Sequence, residues 1–568
     1  MHNAFALGIA KAQDTQVPVA SAFDMLTRPS SFGDLSRQFS FELPGFYNIG
    51  TDVVDRWAAV EPDRPALIVH KEDGPPRFAT YGFLATRSNR LANALAAEGV
   101  KAGDRLGILL PQSAETVIAH VAAYKLGAIA VPLAIQFGSD ALRYRLADAG
   151  AVALVTTVEG AEKIEDLRAE LPALRIVYAV GGAGPGAADL RHVLSRASSR
   201  FEPVDSRPDD PALMIYTSGT TGAPKGALHG HRVLLGHLPG IELSQEMMPQ
   251  SGDVMWTPSD WAWAGGLLNA LMPALHFGVP VVAFRFEKFD PGRALDLMAR
   301  HRVTNAFLPP TALKMIRAEG AAVDRDRLRL RAIGSAGEKL GADTLLWAEE
   351  AFGVPVNEFY GQTECNAVIG SSGGLGVCRP GAIGRPVPGH EVAILRPDGT
   401  EAAAGETGEI AIARPDPVMF LGYWNNEEAT EAKFRGRWMM TGDQAVRDDD
   451  GYIAFVGRED DVITSAGYRI GPGEIEDCLA AHPAVRLAVV VGKPDPVRTE
   501  IVTAFVVPQP GVSTGPALVD DIKAFVRSRL SSHEYPREIT FVDEIPLTTS
   551  GKVIRRAFRD KVRAPVSA

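Results

Sequence analysis

The chain is predicted to adopt an α/β fold in two unequal parts. The first is a large multi-subdomain N-terminal domain with parallel-rich sheets, and the second is a small α+β C-terminal domain. Three observations predict this. The chain has 568 residues, too many for one core when domains run to about 100–200 residues. Short apolar runs alternate with stretches of helical spacing, as in βαβ units. Near residue 457 this texture changes, and roughly 110 residues with their own pattern follow.

The elements can be taken in order. Residues 1–50 form an N-terminal arm without clear period; Ser30 to Gly45, rich in Ser, Gly, Pro and Phe, reads as extended. From Val53 the alternation begins. Arg105–Leu110, Ala128–Leu133, Ala151–Thr156 and Arg175–Val180 read as buried strands, and Ala114–Leu126 has helical spacing. Gly451–Val456 reads as the last strand of the large domain, 51–457, before the polar break Gly457-Arg-Glu-Asp-Asp461. The C-terminal domain, 458–568, has predicted helices at Gly473–Ala481 and Val519–Leu530 and strands at Leu487–Gly492 and Ile501–Val507.

Composition narrows the function classes. Hydrophobic residues make up 46% and charged residues 22%, as in ordinary globular proteins, and the net charge of −11 argues against nucleic acid as a partner. Cys365, Cys378 and Cys478 have no CxxC spacing, so no zinc or redox motif is expected. No apolar run approaches the ~18 residues of a membrane span. The apolar stretch Ala4–Ala10 lacks a basic leader. These features fit a cytoplasmic protein with no membrane partner.

The strongest local signal is Tyr216-Thr-Ser-Gly-Thr-Thr-Gly-Ala-Pro-Lys-Gly226, which follows the apolar run Ala212–Tyr216. Gly219, Gly222 and Gly226 allow close backbone approach to a ligand. Thr217, Ser218, Thr220 and Thr221 offer hydroxyls, and Lys225 a positive charge, so the loop can wrap a polyphosphate. It lacks the GxxxxGK[ST] spacing of a Walker A loop.

This segment resembles the phosphate loop of the adenylate-forming superfamily, and further motifs match in the family's order. They are Ala336-Gly-Glu-Lys-Leu340, Tyr360-Gly-Gln-Thr-Glu364, Thr441-Gly-Asp443, Gly457-Arg-Glu-Asp-Asp461 and Pro546-Leu-Thr-Thr-Ser-Gly-Lys552. The resemblance runs from about residue 50 to 562 and points to the acyl-CoA synthetase branch, near its medium-chain and acetyl-CoA synthetase-like members. It implies ATP, coenzyme A and Mg2+ as cofactors and a small carboxylic acid as substrate.

The resemblance also implies roles. Gly337, Glu338 and Lys339 would line the adenine site, with Glu358, Phe359, Tyr360, Gly361 and Gln362 beside it. Asp443 would accept from the ribose hydroxyls, and Arg458 would fix ribose or phosphate. Glu364 would bind the magnesium ion, and Thr363 the α-phosphate or the acyl carboxylate. Lys552 would bridge the attacking carboxylate and the α-phosphate, an electrostatic task that needs no protein nucleophile. In the second half-reaction Gly467 would admit the pantetheine arm, flanked by Ala466 and Tyr468, with Arg469 reaching the substrate. Gln136, Arg498 and Arg537 would contact coenzyme A. A mobile C-terminal domain would rotate about Asp460 to exchange Lys552 for Gly467.

The acyl pocket is expected from Trp256–Leu268 and the 360s, with Trp261, Trp263, Ala264, Gly265 and Gly361 as its walls. Acetate-specific members of the resembled family carry larger residues at 264, 265 and 361. The small ones here imply medium-chain, branched short-chain or aromatic acids, and a bulky residue at 361 would be expected to shorten the pocket. Asp260 keeps an amino-acid substrate open. Alternatives are an acetate or propionate ligase, an adenylation enzyme loading a carrier protein, a regulatory protein on a retired synthetase fold, and a luciferase-like oxygenase. Pro546 with Gly551-Lys552 also resembles the Pro-x4-Gly-Lys pattern of synthetases controlled by lysine acetylation. An acetyltransferase and deacetylase, and a homo-oligomeric assembly, stay open as partners.

Overall fold

The computed structural model describes residues 25–26, 31–217, 224–320, 322–458, 461–465, 468–495, 498–530, 535–547 and 553–563. Among the described residues the strands form four sheets. The first runs Gly422–Tyr423, Gly226–Gly230, Pro211–Tyr216, Ile129–Pro132, Arg105–Leu109, Ala153–Thr157, Ile176–Val180, Ala188–Asp189. Its strands from Pro211–Tyr216 to Ala188–Asp189 pair in parallel. The second sheet has a parallel centre made by Val356–Tyr360, Ala332–Ser335, Asn305–Phe307, Met255–Trp256, Val281–Ala283 and Pro65–Val69, with antiparallel strands at its edges. The third, built around Thr407–Ala413 and Trp438–Arg447, is antiparallel.

One continuous core joins the two large sheets. It includes Leu106 and Leu213 from one, Val281, Phe307 and Phe359 from the other, and the helices between them. Helix Ala114–Leu126 lies inside this core and is apolar nearly all round, as burial on every side requires. Ser113 caps its start by accepting from the Thr116 amide, and Gly127, at φ 69°, ends it. Its one buried cation, Lys125, is fully satisfied: the ammonium donates to Asp55 at 2.6 Å, Asn89 at 2.7 Å and Ser88 at 2.9 Å.

The C-terminal sheet is built on two long antiparallel strands, Val485–Asp495 and Thr499–Pro508. Their alternation supplies two cores. Ala488, Val490, Val502 and Ala504 face helices Pro472–Ala480 and Pro516–Arg529, while Val489, Val491 and Phe505 pack against Phe558 of helix Arg555–Arg563. The predicted α/β architecture with a separate small α+β domain is therefore present.

One local expectation is corrected. Within the stretch read as extended, Phe32–Gln38 is a helix, because Ser31 caps it and Phe32 and Leu35 bury their side chains beside Leu243 and Tyr452. Among the described residues no helix is long and apolar enough to cross a membrane.

Candidate active site

The carboxyl ends of the parallel strands from both large sheets, at Thr217, Pro309, Ala336 and Gly361, open into one cleft of about 1420 Å3. Open α/β sheets bind ligands at this end of their strands. The antiparallel third sheet contributes Thr441, Asp443 and Arg458, and the C-terminal domain closes the far side with Glu476, Leu547, Val553 and Arg555.

At the phosphate-loop end, the Thr217 amide donates to the Lys225 carbonyl at 2.9 Å, which ties the two ends of the loop together. Ser218, Gly219, Thr220, Thr221 and Gly222 lie outside the described residues. Gly226 follows, where a Cβ would come 2.9 Å from Met214 Sδ, so the strand leaving the loop packs closely against Met214. The Lys225 ammonium lies 5.0 Å from the centre of the Tyr423 ring. The Tyr423 hydroxyl in turn donates to Glu364 in a short hydrogen bond. Burial, then the neighbouring Glu364 carboxylate, pushes the Tyr423 phenol up, so it stays a donor.

Asp443 is 4% exposed and held by several donors. Tyr360 Oη and Gln362 Nε2 each donate to its Oδ2 at 2.6 Å, and the Arg458 guanidinium stands 3.7 Å from Oδ1. The backbone sets this up, because Asp443 and Arg458 are register partners on adjacent strands. Gln362 is fixed by a second bond to the Thr441 carbonyl at 2.8 Å. Sequence reasoning did not pair Tyr360 and Gln362 with Asp443; Tyr360 ends a strand of the second sheet, and only the packing of that sheet against the third brings them together.

Where the adenine site is expected, Glu338 accepts from Thr311 at 2.7 Å, and buried Glu358 accepts from the Leu340 amide at 3.0 Å. Burial pushes the Glu358 carboxyl up to about 7. Gly337 has φ 100°, a conformation that favours glycine. Lys339, Phe359 and Thr363 also line the cleft, as does Gln136.

Where the acyl pocket is expected, Trp263, Ala264, Gly265, Phe307 and Gly361 line the cleft. A Cβ on Gly265 would come 3.2 Å from the Phe307 ring. Two expectations change here. Trp261 is 1% exposed and packs in the central core, so its indole builds the fold behind the pocket and not the pocket wall. Gly361 lines the cleft, but a Cβ there would lie 2.3 Å from Asn366 Cα and 2.5 Å from the Ala367 nitrogen. The space beside it is filled by backbone, so a larger residue could not simply project into the pocket. Asp260 accepts from the Ala262 amide of its own loop at 2.9 Å, and burial raises its pKa.

The C-terminal domain docks through helix Pro472–Ala480. Asp477 pairs with Lys314 at 3.2 Å. Burial opposes the Lys314 charge, but Asp477, then Glu338 and Glu476, outweigh it and hold its pKa above the ordinary value. Arg555 pairs with Glu476 at 2.5 Å and with Asp461 at 3.4 Å. Lys552 lies outside the described residues. Its flanks Leu547 and Val553 pair as an antiparallel bridge, and both line the cleft. Ala466, Gly467 and Asp460 also lie outside the described residues, as do the side chains of Tyr468 and Arg469. The strands flanking 466–467, Ile463–Ser465 and Tyr468–Ile470, pair with each other. Arg498 and Arg537 are away from the cleft; Arg537 stacks 5.1 Å from the Tyr535 ring centre.

The AMP-binding enzyme family profile matches residues 54–424, and the AMP-binding enzyme C-terminal domain matches 474–552. The chain therefore belongs to the AMP-binding enzyme family, on its acyl-CoA synthetase branch. It is 33% identical over 527 residues to the acetyl-coenzyme A synthetase of Bacillus subtilis (strain 168), covering 91% of this chain and 90% of that one. It is 32% identical over 537 residues to the mitochondrial acyl-coenzyme A synthetase ACSM4 of Mus musculus, covering 91% of each. Among solved structures, the anthranilate CoA ligase AuaEII in complex with anthranoyl-AMP superposes with a TM-score of 0.84 at 29% identity, over 92% of this chain and 98% of that one.

Proposed function

We propose that the chain is an ATP-dependent acyl-CoA synthetase. A carboxylate oxygen of the acid attacks the α-phosphorus of ATP and pyrophosphate leaves. The thiol of coenzyme A then attacks the acyl carbonyl and AMP leaves. The observation that carries this reading is the convergence on one cleft of Asp443 with its donors, the ends of the 217–225 loop, Glu364, and the flanks of the Lys552 segment.

Each residue has a task in this scheme. Asp443 accepts from the vicinal ribose hydroxyls, and Tyr360, Gln362 and Arg458 hold it in place for them. The 217–225 loop cradles the phosphates. Glu364 fits a magnesium site: it is a buried hard oxygen donor, and magnesium is commonly held by one or two carboxylates plus substrate phosphates. Such an ion would neutralise phosphate charge. Lys552, carried between two cleft-lining flanks, neutralises the attacking carboxylate and the α-phosphate together. Gly467 serves the thiol step after the C-terminal domain, from about residue 458, turns at Asp460. Leu547 and Val553, on either side of the Lys552 segment, border the cleft, which is in keeping with the first step. Arg498, Arg537, Ala466, Tyr468 and Arg469 belong to the coenzyme A step.

The small residues at 264 and 265 favour a medium-chain, branched short-chain or aromatic acid. The similarity to a ligase holding anthranoyl-AMP is in keeping with that size. A cytoplasmic location and acetylation of Lys552 as a control on adenylation are part of the same reading. The test is pyrophosphate release over acids from acetate to dodecanoate, with branched and aromatic members, followed by acyl-CoA formation on adding coenzyme A. Release without acyl-CoA formation would favour carrier-protein loading, and no release with any acid would refute the reading.

A further inference from the structure

The acyl end of the cleft holds one polar pair that the fold does not use up. Asn269 and Asn366 are 3% and 6% exposed, and both line the cleft. The Asn366 Oδ1 accepts from the Ala367 amide at 3.0 Å, which leaves its Nδ2 to donate to Asn269 Oδ1 at 2.6 Å. This fixes how both amides point. Asn269 offers its oxygen to Asn366, so its own Nδ2 is the group left over. That NH2 has no hydrogen-bond partner among the described residues, and it is not sealed from the cleft.

The backbone around the pair is specialised. Asn269 sits in the π-helical turn Leu267–Leu271, a distortion that often marks functional positions. The turn follows Gly266, where a Cβ would meet the Asp260 carbonyl at 2.4 Å. Asn366 precedes Ala367, held at φ 56°, and its Cα fills the space beside Gly361. A buried donor held rigidly and left unpaired costs stability unless a ligand or water completes it.

We propose that Asn269 is a specificity-determining residue whose side-chain NH2 donates to a hydrogen-bond acceptor on the acyl part of the substrate. The substrate class is then a carboxylic acid carrying an oxo, ether or similar acceptor group, and not a plain hydrocarbon acid. An unsubstituted acid would displace water from Asn269 and leave the donor unmet. Sites built around such a bond reject analogues that lack it much more strongly than an apolar pocket rejects a missing methylene. This inference rests on the acid-activating function proposed above.

The experiment measures pyrophosphate release by the full chain with ATP and magnesium for matched acids. Hexanoate and octanoate are compared with their oxo derivatives, and ethylbenzoates with methoxybenzoates. In the wild type at least one acceptor-bearing acid should exceed its hydrocarbon partner in kcat/KM by about tenfold or more. Asn269→Asp keeps an oxygen to accept from Asn366 and, when ionised, offers no donor; with the pyrophosphate assay run above pH 7 and repeated at lower pH, it should bring that ratio to parity or below. Asn269→Leu should do the same and also improve the hydrocarbon acid. If Asn269→Leu does not fold, Asn269→Asp carries the test, with thermal melting as its control. Hydrocarbon acids preferred throughout by the wild type, or an unchanged ratio in Asn269→Asp, would overturn the inference while leaving the acyl-CoA synthetase reading intact. No pyrophosphate release from any acid would overturn both.

Discussion

The two walls of the cleft are made differently. On the N-terminal side, Asp443 is buried and held by Tyr360 and Gln362 at 2.6 Å, with Arg458 set opposite it by sheet register. On the C-terminal side, helix Pro472–Ala480 meets the large domain through the ion pair Lys314–Asp477 at 3.2 Å, and Arg555 ties the Lys552 segment to that helix through Glu476. The first wall is built before a ligand arrives and loses little order on binding. The second is joined by charges on partly exposed side chains, contacts that are individually weak and replaceable. A wall fixed by buried hydrogen bonds faces one joined by ion pairs.

The comparison can be broken most sharply at Lys552. Lys552→Ala should lower pyrophosphate release by about 10²–10³-fold, the usual cost of removing one charge-stabilising group. Conversion of supplied acyl-AMP to acyl-CoA should remain. Equal loss of both half-reactions would mean that the C-terminal wall does not exchange its contributions. Gly361→Trp tests the rigid wall. With the 366–367 backbone in its way, it should cost about 1–3 kcal/mol of stability and reduce activity with every acid. A melting curve unchanged from wild type, with preference moved to acetate, would show that this wall can yield.

Smaller effects sharpen the picture. Tyr360→Phe removes one of the donors to Asp443 and should raise the KM for ATP about fivefold, a hydrogen bond's worth, with kcat little changed. Glu358 gives the rigid wall a pH signature. Its carboxyl is raised to about 7 by burial, so the folded state binds its proton more tightly than the unfolded state does. Its contribution is fully present below the ordinary carboxylate pKa of about 4.3 and is lost as pH rises towards about 7. The wild type minus Glu358→Gln difference in melting temperature should therefore fall across that window and be flat above it. The smallest effect belongs to the docking pair. Lys314→Met should cost about 0.5–1 kcal/mol of domain docking and make adenylation less sensitive to salt than in the wild type.

Much of this architecture was legible beforehand because it is local. The helix at Ala114–Leu126 has a capping serine before it and a glycine after it, and the motif residues sit at strand ends where a reader of one strand at a time can find them. What escaped was set by contacts distant in sequence. Tyr360 and Gln362 meet Asp443 only because two sheets pack edge to face. Trp261 and Trp263 are two residues apart in one aromatic run, and only packing decides that one faces the core and the other the cleft. The room beside Gly361 looked open because residue size says nothing of backbone approaching from residues 366–367. The short helix after Ser31 was hidden by the glycine and proline around it.

The strand Ile453–Arg458 has a further consequence. It belongs to the large domain's third sheet, pairs Arg458 with Asp443, and is also the strand from which the chain passes into the C-terminal domain. The proposed ribose contacts therefore sit on the axle of the proposed rotation. Anything that tightens the grip on the nucleotide also stiffens the axle, and any angle preferred by the small domain is felt as nucleotide affinity, by equal amounts in both directions. Turning ATP into acyl-AMP, with loss of pyrophosphate, would change the load on that axle without any separate signal, so the chemistry itself would time the turn from one half-reaction to the next.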